Sequence, residues 1–217
     1  MTGVHDLALF VAAGLLLNLT PGPDMAYIAA RSAAGGFREG AAAVLGITAG
    51  CVVHTLAAAL GLSALLATSA TAFEIVKWAG ALYLLYAGVR LLVAGAAPRG
   101  GADGASRGRV DTLAPAAPRR IFREALLINV FNPKVALFFL AFVPQFIAGD
   151  APDKALSFLL LGTLFNGNSL FVNLPLAWLA ARAGRRLQSG RGLRWMRRAT
   201  GGLFVLLAAR LAAMSRD

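Results

Sequence analysis

The chain has 217 residues, of which 58% are apolar and only 14% charged, and its formal net charge is +11. A soluble domain of this length needs more polar surface to cover a single core, so the composition indicates a protein surrounded by lipid. The basic residues lie in gaps between apolar runs, without the interleaved aromatic residues of a nucleic-acid-binding face, so no nucleic-acid partner is expected.

Six apolar runs follow one another along the chain. They cover residues 7–30, 41–67, 75–97, 125–148, 155–181 and 199–214. A helix needs about 20 apolar residues to cross roughly 30 Å of hydrocarbon, and the first five runs meet this length. The sixth is shorter and contains Arg210, whose long side chain can reach the interface. No basic region precedes the first run, so we expect a retained helix rather than a cleaved signal peptide.

Basic residues alternate between the gaps that separate these runs. Gaps one, three and five hold fifteen lysines and arginines, whereas gaps two and four hold one. Positively charged loops stay in the cytoplasm, so both termini are predicted to be extracytoplasmic. Residues 98–122 are rich in glycine, alanine, proline and arginine, which is typical of a flexible linker.

The linker divides a single transmembrane transporter domain into two halves. The first repeat covers residues 1–97, the cytoplasmic linker 98–122 and the second repeat 123–217. Each half has three spans, so the second half is inserted upside down relative to the first. The predicted fold is therefore an all-α integral membrane protein with six transmembrane helices in two inverted three-helix repeats.

Proline interrupts the first and fourth runs at corresponding places. The first run contains Asn18-Leu-Thr-Pro-Gly-Pro-Asp24, and the fourth contains Asn129-Val-Phe-Asn-Pro-Lys134. Proline removes a backbone donor and clashes with the preceding turn, so the first and fourth helices are predicted to be broken. Lipid cannot satisfy the freed carbonyls, which must meet protein groups or water. Paired breaks in inverted halves are typical of a transporter substrate site, whereas a single break is often a structural kink.

We therefore assign the substrate site to the two breaks and to one amide of the fifth run. Exposed helix ends offer a positive dipole to a carboxylate and free carbonyls to an ammonium group, the two charges of an amino acid. The candidate substrate-binding residues are Asn18, Pro21, Gly22, Pro23, Asp24, Asn129, Asn132, Pro133, Lys134 and Asn166. The polar residues around Asn166 either line a path or bond neighbouring helices.

Two side chains are candidates for proton coupling, Asp24 and His54. A charge within a span costs about 2.5–3.5 kcal/mol on insertion scales, so such residues indicate function unless they reach the interface. Asp24 could take an ammonium group or a proton, and Lys134 could hold a carboxylate or pair with Asp24. Histidine is the side chain whose ordinary pKa lies near physiological pH, which makes His54 a candidate proton relay, although a packing role is favoured over it.

Three motifs in this order and spacing resemble the LysE/RhtB amino-acid exporter family, the homoserine/threonine-type efflux proteins. They are Leu19-Thr-Pro-Gly-Pro-Asp24, Asn129-Val-Phe-Asn-Pro-Lys134 and Val143-Pro-Gln-Phe146, and the resemblance runs essentially from end to end. It implies multi-pass insertion in the bacterial inner membrane and efflux of amino acids driven by the proton gradient. Some relatives carry an acidic residue in the fifth span where this chain has Asn168 and Ser169, which shifts proton coupling to Asp24 and His54.

These observations predict a secondary transporter that exports amino acids or related small metabolites by proton antiport. Its partners are the amino-acid substrate, protons and the lipid bilayer. The sequence leaves open whether the protein forms a homo-oligomer. The alternative is a passive channel, or a cation or metal efflux protein on the same scaffold. No enzyme is predicted, because two histidines and the single Cys51 assemble no nucleophile–base pair. Neither a Walker motif nor metal-ligand spacing occurs, so no cofactor and no metal is expected.

Overall fold

The structure is a computed structural model that describes residues 3–62 and 116–183. It also describes isolated helical positions at 71, 75, 78, 82, 85, 86, 89, 202, 205 and 209. The predicted third and sixth spans, and most of the predicted linker, therefore lie outside the described residues apart from those positions. Within 3–62 and 116–183 all regular structure is helical, except for one isolated antiparallel bridge between Val4 and Ile147.

The first predicted span is broken where its prolines lie. Helix α1 covers Leu7–Leu19, and helix α2 begins at Pro23 and ends at Ala57. A π-helical turn, Ala58–Leu62, continues α2. Proline at the first position of a helix sacrifices no intrahelical hydrogen bond, which suits Pro23 to the start of α2. The predicted break in the first helix is confirmed.

Helix α2 reverses direction at Gly36. This residue has φ 76° and ψ −173°, a conformation that glycine adopts without steric cost. Arg31 lies 3.7 Å from Glu39, and the Ser32 side chain contacts Gly40. Residues eight apart in a straight helix are separated by about 12 Å along the axis, so both contacts require a hairpin. The reversal falls in the predicted gap between the first two spans.

The fourth predicted span is also broken. Helix α3 covers Pro118–Val130, and α4 covers Pro133–Leu137 before a π-helical turn, Phe138–Phe142, and a 3-10 turn, Val143–Phe146. The two parts are bent by 48° at Asn132, so this break is confirmed as well.

Helix α3 begins earlier than the sequence predicted. We placed the end of the linker at residue 122 and the span at 125, but the helix starts at Pro118. Pro118 occupies the first turn, where proline is tolerated, and Ile121 is fully buried, so the end of the linker is an amphipathic helical turn. Because arginines surround Ile121, this turn does not belong to an apolar run in the sequence.

Helix α5, Lys154–Ala183, matches the predicted fifth span closely. The Asp153 carboxylate accepts a hydrogen bond from the Leu156 amide at 2.9 Å and caps the start of α5. Helix α2 packs against α3 and α5, and α1 packs against α5. Gly46 and Gly50 of α2 lie directly against α3, so this face of small residues packs within the chain.

An aromatic cluster fills the space between α1, the segment after α4, and α5. Its members are buried, and neighbouring ring centroids lie 4.8–6.0 Å apart. The cluster consists of Phe10, Phe138, Phe139, Phe142, Phe146 and Phe165. Backbone hydrogen bonds from His5 to Phe146, at 3.0 Å, and from Ala148 to Gly3, at 2.8 Å, tie the N-terminal segment to its edge.

The described helices include segments of membrane-spanning length. Pro23–Gly61, which the Gly36 reversal divides, and Lys154–Arg182 each contain a stretch that is long and apolar enough to cross a membrane. The bent pair Pro118–Val130 and Pro133–Phe146 adds a third if it is counted as one span. Helix α1 is a shorter apolar helix.

Candidate functional site

The two breaks meet in the interior of the protein. The Asn129 side-chain amide donates a hydrogen bond to the Asp24 carboxylate, with 2.9 Å between Nδ2 and Oδ2. Asp24 is 8% exposed and Asn129 is fully buried, so water screens this contact poorly. Asp24 also lies in the first turn of α2, where the helix dipole favours a negative charge. Segments that are more than 100 residues apart in the chain therefore form one polar centre.

Lys134 joins the breaks a second time. Its ammonium donates to the carbonyl oxygens of Leu17, at 3.2 Å, and Thr20, at 3.3 Å. In a continuous helix the Leu17 carbonyl would accept from the amide of residue 21, but Pro21 has no N–H. The lysine of the second break thus supplies a donor that the proline of the first break removes.

Glycine at position 22 leaves room for this ammonium. A Cβ atom at Gly22 would lie 3.3 Å from Lys134 Nζ. A side chain that continued beyond Cβ would push the ammonium away from the two carbonyls. Gly22 is therefore explained by a close approach within the site.

The second break has a matching arrangement. Pro133 has no N–H to donate to the Asn129 carbonyl, and His54 Nε2 lies 3.2 Å from that oxygen. The Asn132 amide also donates to it, at 2.9 Å. The imidazole stacks on Phe139, with ring centroids 5.9 Å apart and an interplanar angle of 20°.

Three buried polar atoms at this centre have unused hydrogen-bonding capacity. Asn132 caps α4 through its Oδ1, which accepts from the Lys134 amide at 3.0 Å. Asn132 Nδ2, Asp24 Oδ1 and Asn129 Oδ1 are buried without a hydrogen-bond partner in the described part of the chain. The ammonium of Lys134 has three donors, of which the Leu17 and Thr20 carbonyls use two. The centre can therefore offer an acceptor to a cation and donors to an anion.

Two predicted site residues are not brought into this centre. Asn18 Nδ2 donates to the Gly14 carbonyl at 2.9 Å, and Asn166 Nδ2 donates to the Gly162 carbonyl at 3.0 Å. Within residues 3–62 and 116–183, neither makes a hydrogen bond to the other break residues. The structure also places the Lys134 ammonium at the freed carbonyls that the sequence assigned to a substrate ammonium. Lys134 pairs with those carbonyls and not directly with Asp24.

A second group of charges, the Arg31 cluster, joins the α2 hairpin to α3. It comprises Tyr27, Arg31, Glu39 and Glu124. Arg31 lies 3.1 Å from Glu124 and 3.7 Å from Glu39, and only 5% of its side chain is exposed. The Tyr27 hydroxyl donates to Glu124 at 2.6 Å and accepts from Arg31 at 3.3 Å.

Removing Arg31 should destabilise the protein strongly. In Arg31→Leu the Glu39 and Glu124 carboxylates lose a buried positive partner, and we expect the free energy of unfolding to fall by about 3–5 kcal/mol. Arg38→Leu is the matched control, because Arg38 is exposed just beyond the hairpin turn. Its effect should stay within about 0.5 kcal/mol. Unfolding of both variants in detergent measures the difference, and equal losses would contradict the role given to the cluster.

The Arg31 cluster and the side chains that donate to the freed carbonyls were not predicted from the sequence. Arg31 lies in the predicted gap after the first apolar run, and Glu124 lies one residue before the predicted fourth span. The carbonyls of Leu17 and Asn129 carried a usable signal, because each lies four residues before a proline. The donors that reach them could not be identified without knowing how the helices pack.

Broken apolar helices that meet at a buried acid, amide and ammonium define a multi-pass membrane protein with a polar centre. Residues 15–215 match the family model described as LysE type translocator. The chain belongs to the LysE family, and the resemblance seen in the motifs is confirmed.

Relatives with assigned functions are similar to the chain over most of its length. A homoserine/homoserine lactone efflux protein of Salmonella typhi is 33% identical over 207 residues, 94% of each chain. A leucine efflux protein of Salmonella choleraesuis (strain SC-B67) is 32% identical over 161 residues, which is 74% of this chain and 72% of the relative. No solved structure matches the chain significantly.

Proposed function

We propose that this protein is a secondary exporter that moves amino acids out of the cytoplasm across the bacterial inner membrane. The contact between the two breaks carries the proposal, because broken helices that meet at a polar centre are the usual form of a transporter substrate site. Membership of a translocator family and the names of the efflux relatives support it.

The proposed architecture has six spans in two inverted three-helix repeats. Helix α1 and residues 23–35 form the first span on either side of the first break, and α3 with the segment after it forms the fourth. Both termini are extracytoplasmic in this arrangement, and the Gly36 reversal and the Arg31 cluster lie on the cytoplasmic side. Movement of one repeat against the other would open the polar centre to each side in turn.

The polar centre has the charges to hold the head group of an amino acid. The unpartnered Asp24 Oδ1 accepts from the substrate ammonium, and the remaining donor of Lys134 together with Asn132 Nδ2 binds its carboxylate. Pro21, Pro23 and Pro133 act by keeping backbone groups out of helical hydrogen bonds. This arrangement recognises the part of the molecule that all amino acids share, which fits homoserine and leucine, two named substrates of relatives that differ in their side chains.

Proton coupling belongs at Asp24 in this proposal. A buried carboxylate that binds the substrate ammonium can bind a proton instead, so substrate and proton compete for one site. Such competition couples outward movement of substrate to inward movement of protons. Of the two titratable candidates, Asp24 lies in the first break and contacts the second break through the Asn129 side chain, whereas His54 contacts the Asn129 carbonyl.

Export assays test the proposal. Inverted vesicles that contain the protein should take up an amino acid saturably and only when a proton gradient is imposed, with the substrate first identified from the external amino-acid profile of overexpressing cells. The double variant Pro21→Ala/Pro133→Ala is the inactive control. Its new amides can donate to the Leu17 and Asn129 carbonyls and displace Lys134 and His54. Uptake that is independent of the gradient and does not saturate would favour a channel, and transport of metal cations alone would favour a cation efflux protein.

A further inference from the structure

His54 makes a contact with the second break that a role in proton coupling does not explain. The Asn129 carbonyl lies four residues before Pro133, so it accepts from the Asn132 amide at 2.9 Å but lacks the donor that residue 133 would supply in a regular helix. His54, on α2, brings its Nε2 to 3.2 Å from this oxygen. The donor that proline removes from one helix is thus replaced by a side chain from another helix.

The contact fixes which nitrogen carries the proton. A carbonyl oxygen can only accept a hydrogen bond, so Nε2 must be the protonated nitrogen. Stacking on Phe139, at an interplanar angle of 20°, restrains the plane of the ring. The two contacts together hold the imidazole in one orientation, with its donor aimed at the break.

The same residue of the break holds the acid. Asn129 accepts from His54 through its backbone carbonyl and donates to Asp24 through its side chain, at 2.9 Å. A displacement of the Asn129 backbone would therefore also displace the amide that faces Asp24. Lys134 stands in the equivalent relationship to the Leu17 carbonyl and Pro21 in the first break.

We infer that His54 is a positioning residue: its Nε2–H replaces the donor lost at Pro133 and holds Asn129 against Asp24. It does not carry the transported proton. This inference rests on the proposed function, since Asp24 is the group whose placement it sets. The two roles have different requirements. A positioning residue must bring a hydrogen-bond donor to the Asn129 carbonyl, whereas a proton carrier must gain and lose a proton.

Two amide variants separate these roles. His54→Gln places an N–H donor near the position of Nε2 but cannot titrate, and His54→Asn offers the same amide one methylene short of the Asn129 carbonyl. We expect His54→Gln to keep at least half of the wild-type transport rate with an unchanged pH profile. His54→Asn should lose about tenfold, the usual scale of one lost hydrogen bond.

The transport rates and pH profiles of the two variants separate positioning from proton transfer. Equal loss of proton-coupled transport in both variants, or a shifted pH profile in His54→Gln, would overturn it in favour of proton transfer by His54. Wild-type transport in both would show that the contact has no function. If His54→Asn fails to insert, the His54→Gln profile alone decides between positioning and proton transfer. Absence of amino-acid transport by the wild-type protein in the same vesicles would instead refute the proposed function.

Discussion

Replacing Lys134 with alanine should abolish export while the protein still inserts into the membrane. The ammonium makes two of the hydrogen bonds that join the breaks, at 3.2 Å to Leu17 and 3.3 Å to Thr20. In the proposed function its third donor binds the substrate carboxylate, and alanine removes all three. We expect the initial rate of export to fall by about 100-fold or more, since a hydrogen bond to a charged group contributes about 1.5–3 kcal/mol.

The matched control is Lys154→Ala at the start of α5. Lys154 is half-buried and makes no hydrogen bond to either break in the described ranges. Transport rates in vesicles, normalised to protein in the membrane, give the comparison. Leaving the Leu17 and Thr20 carbonyls without this donor should also lower stability, by about 1–3 kcal/mol. Lys134→Ala that exports at the wild-type rate would remove Lys134 from the site.

Asp24→Asn should eliminate proton-coupled export with little change in shape. Asparagine keeps an oxygen that can accept from Asn129, but it carries no charge for the substrate ammonium and binds no proton in the physiological range. We expect export to fall by about 10- to 100-fold, the scale of one charge-assisted hydrogen bond. The residual transport should no longer respond to the proton gradient, because the titrating group is gone.

Asp150→Asn provides the control for this change. Asp150 is exposed in the segment between α4 and α5, and its neutralisation should leave the rate and the gradient dependence unaltered. Exchange of labelled amino acid between equal pools, without a gradient, tests substrate binding separately from coupling. A variant that still exports against a gradient at the wild-type rate would exclude Asp24 as the proton site.

The broken helices could be predicted from the sequence because their cause is local. Pro21, Pro23 and Pro133 act on their own backbone whatever surrounds them, so α1 ends at Leu19 and α3 ends at Val130, close to where the motifs indicated. The fifth span could also be predicted, because a long apolar run between polar gaps has few structures other than a spanning helix open to it in lipid. Such predictions need no knowledge of the neighbours.

The contacts across the site could not be predicted in the same way. Whether Lys134 bonds to Asp24 or to the Leu17 carbonyl depends on the relative height and rotation of two helices, which side-chain types do not determine. The start of α3 at Pro118 was missed because its buried face includes a single large apolar residue, Ile121, among arginines. Glu124 was missed for the same reason, although it is the partner of Arg31 in the structure.

The hairpin at Gly36 has a mechanical consequence for the segment that precedes it. Residues 23–35 form a short helical rod with a proline joint at one end and a glycine joint at the other. Asp24 and Arg31 lie on this rod seven residues, or about 10 Å, apart and on similar faces. Since a helix resists bending over such a length, a tilt that moves the Asp24 carboxylate also moves the Arg31 guanidinium against Glu124. Residues 23–35 would therefore transmit a tilt at the polar centre to the Arg31 cluster.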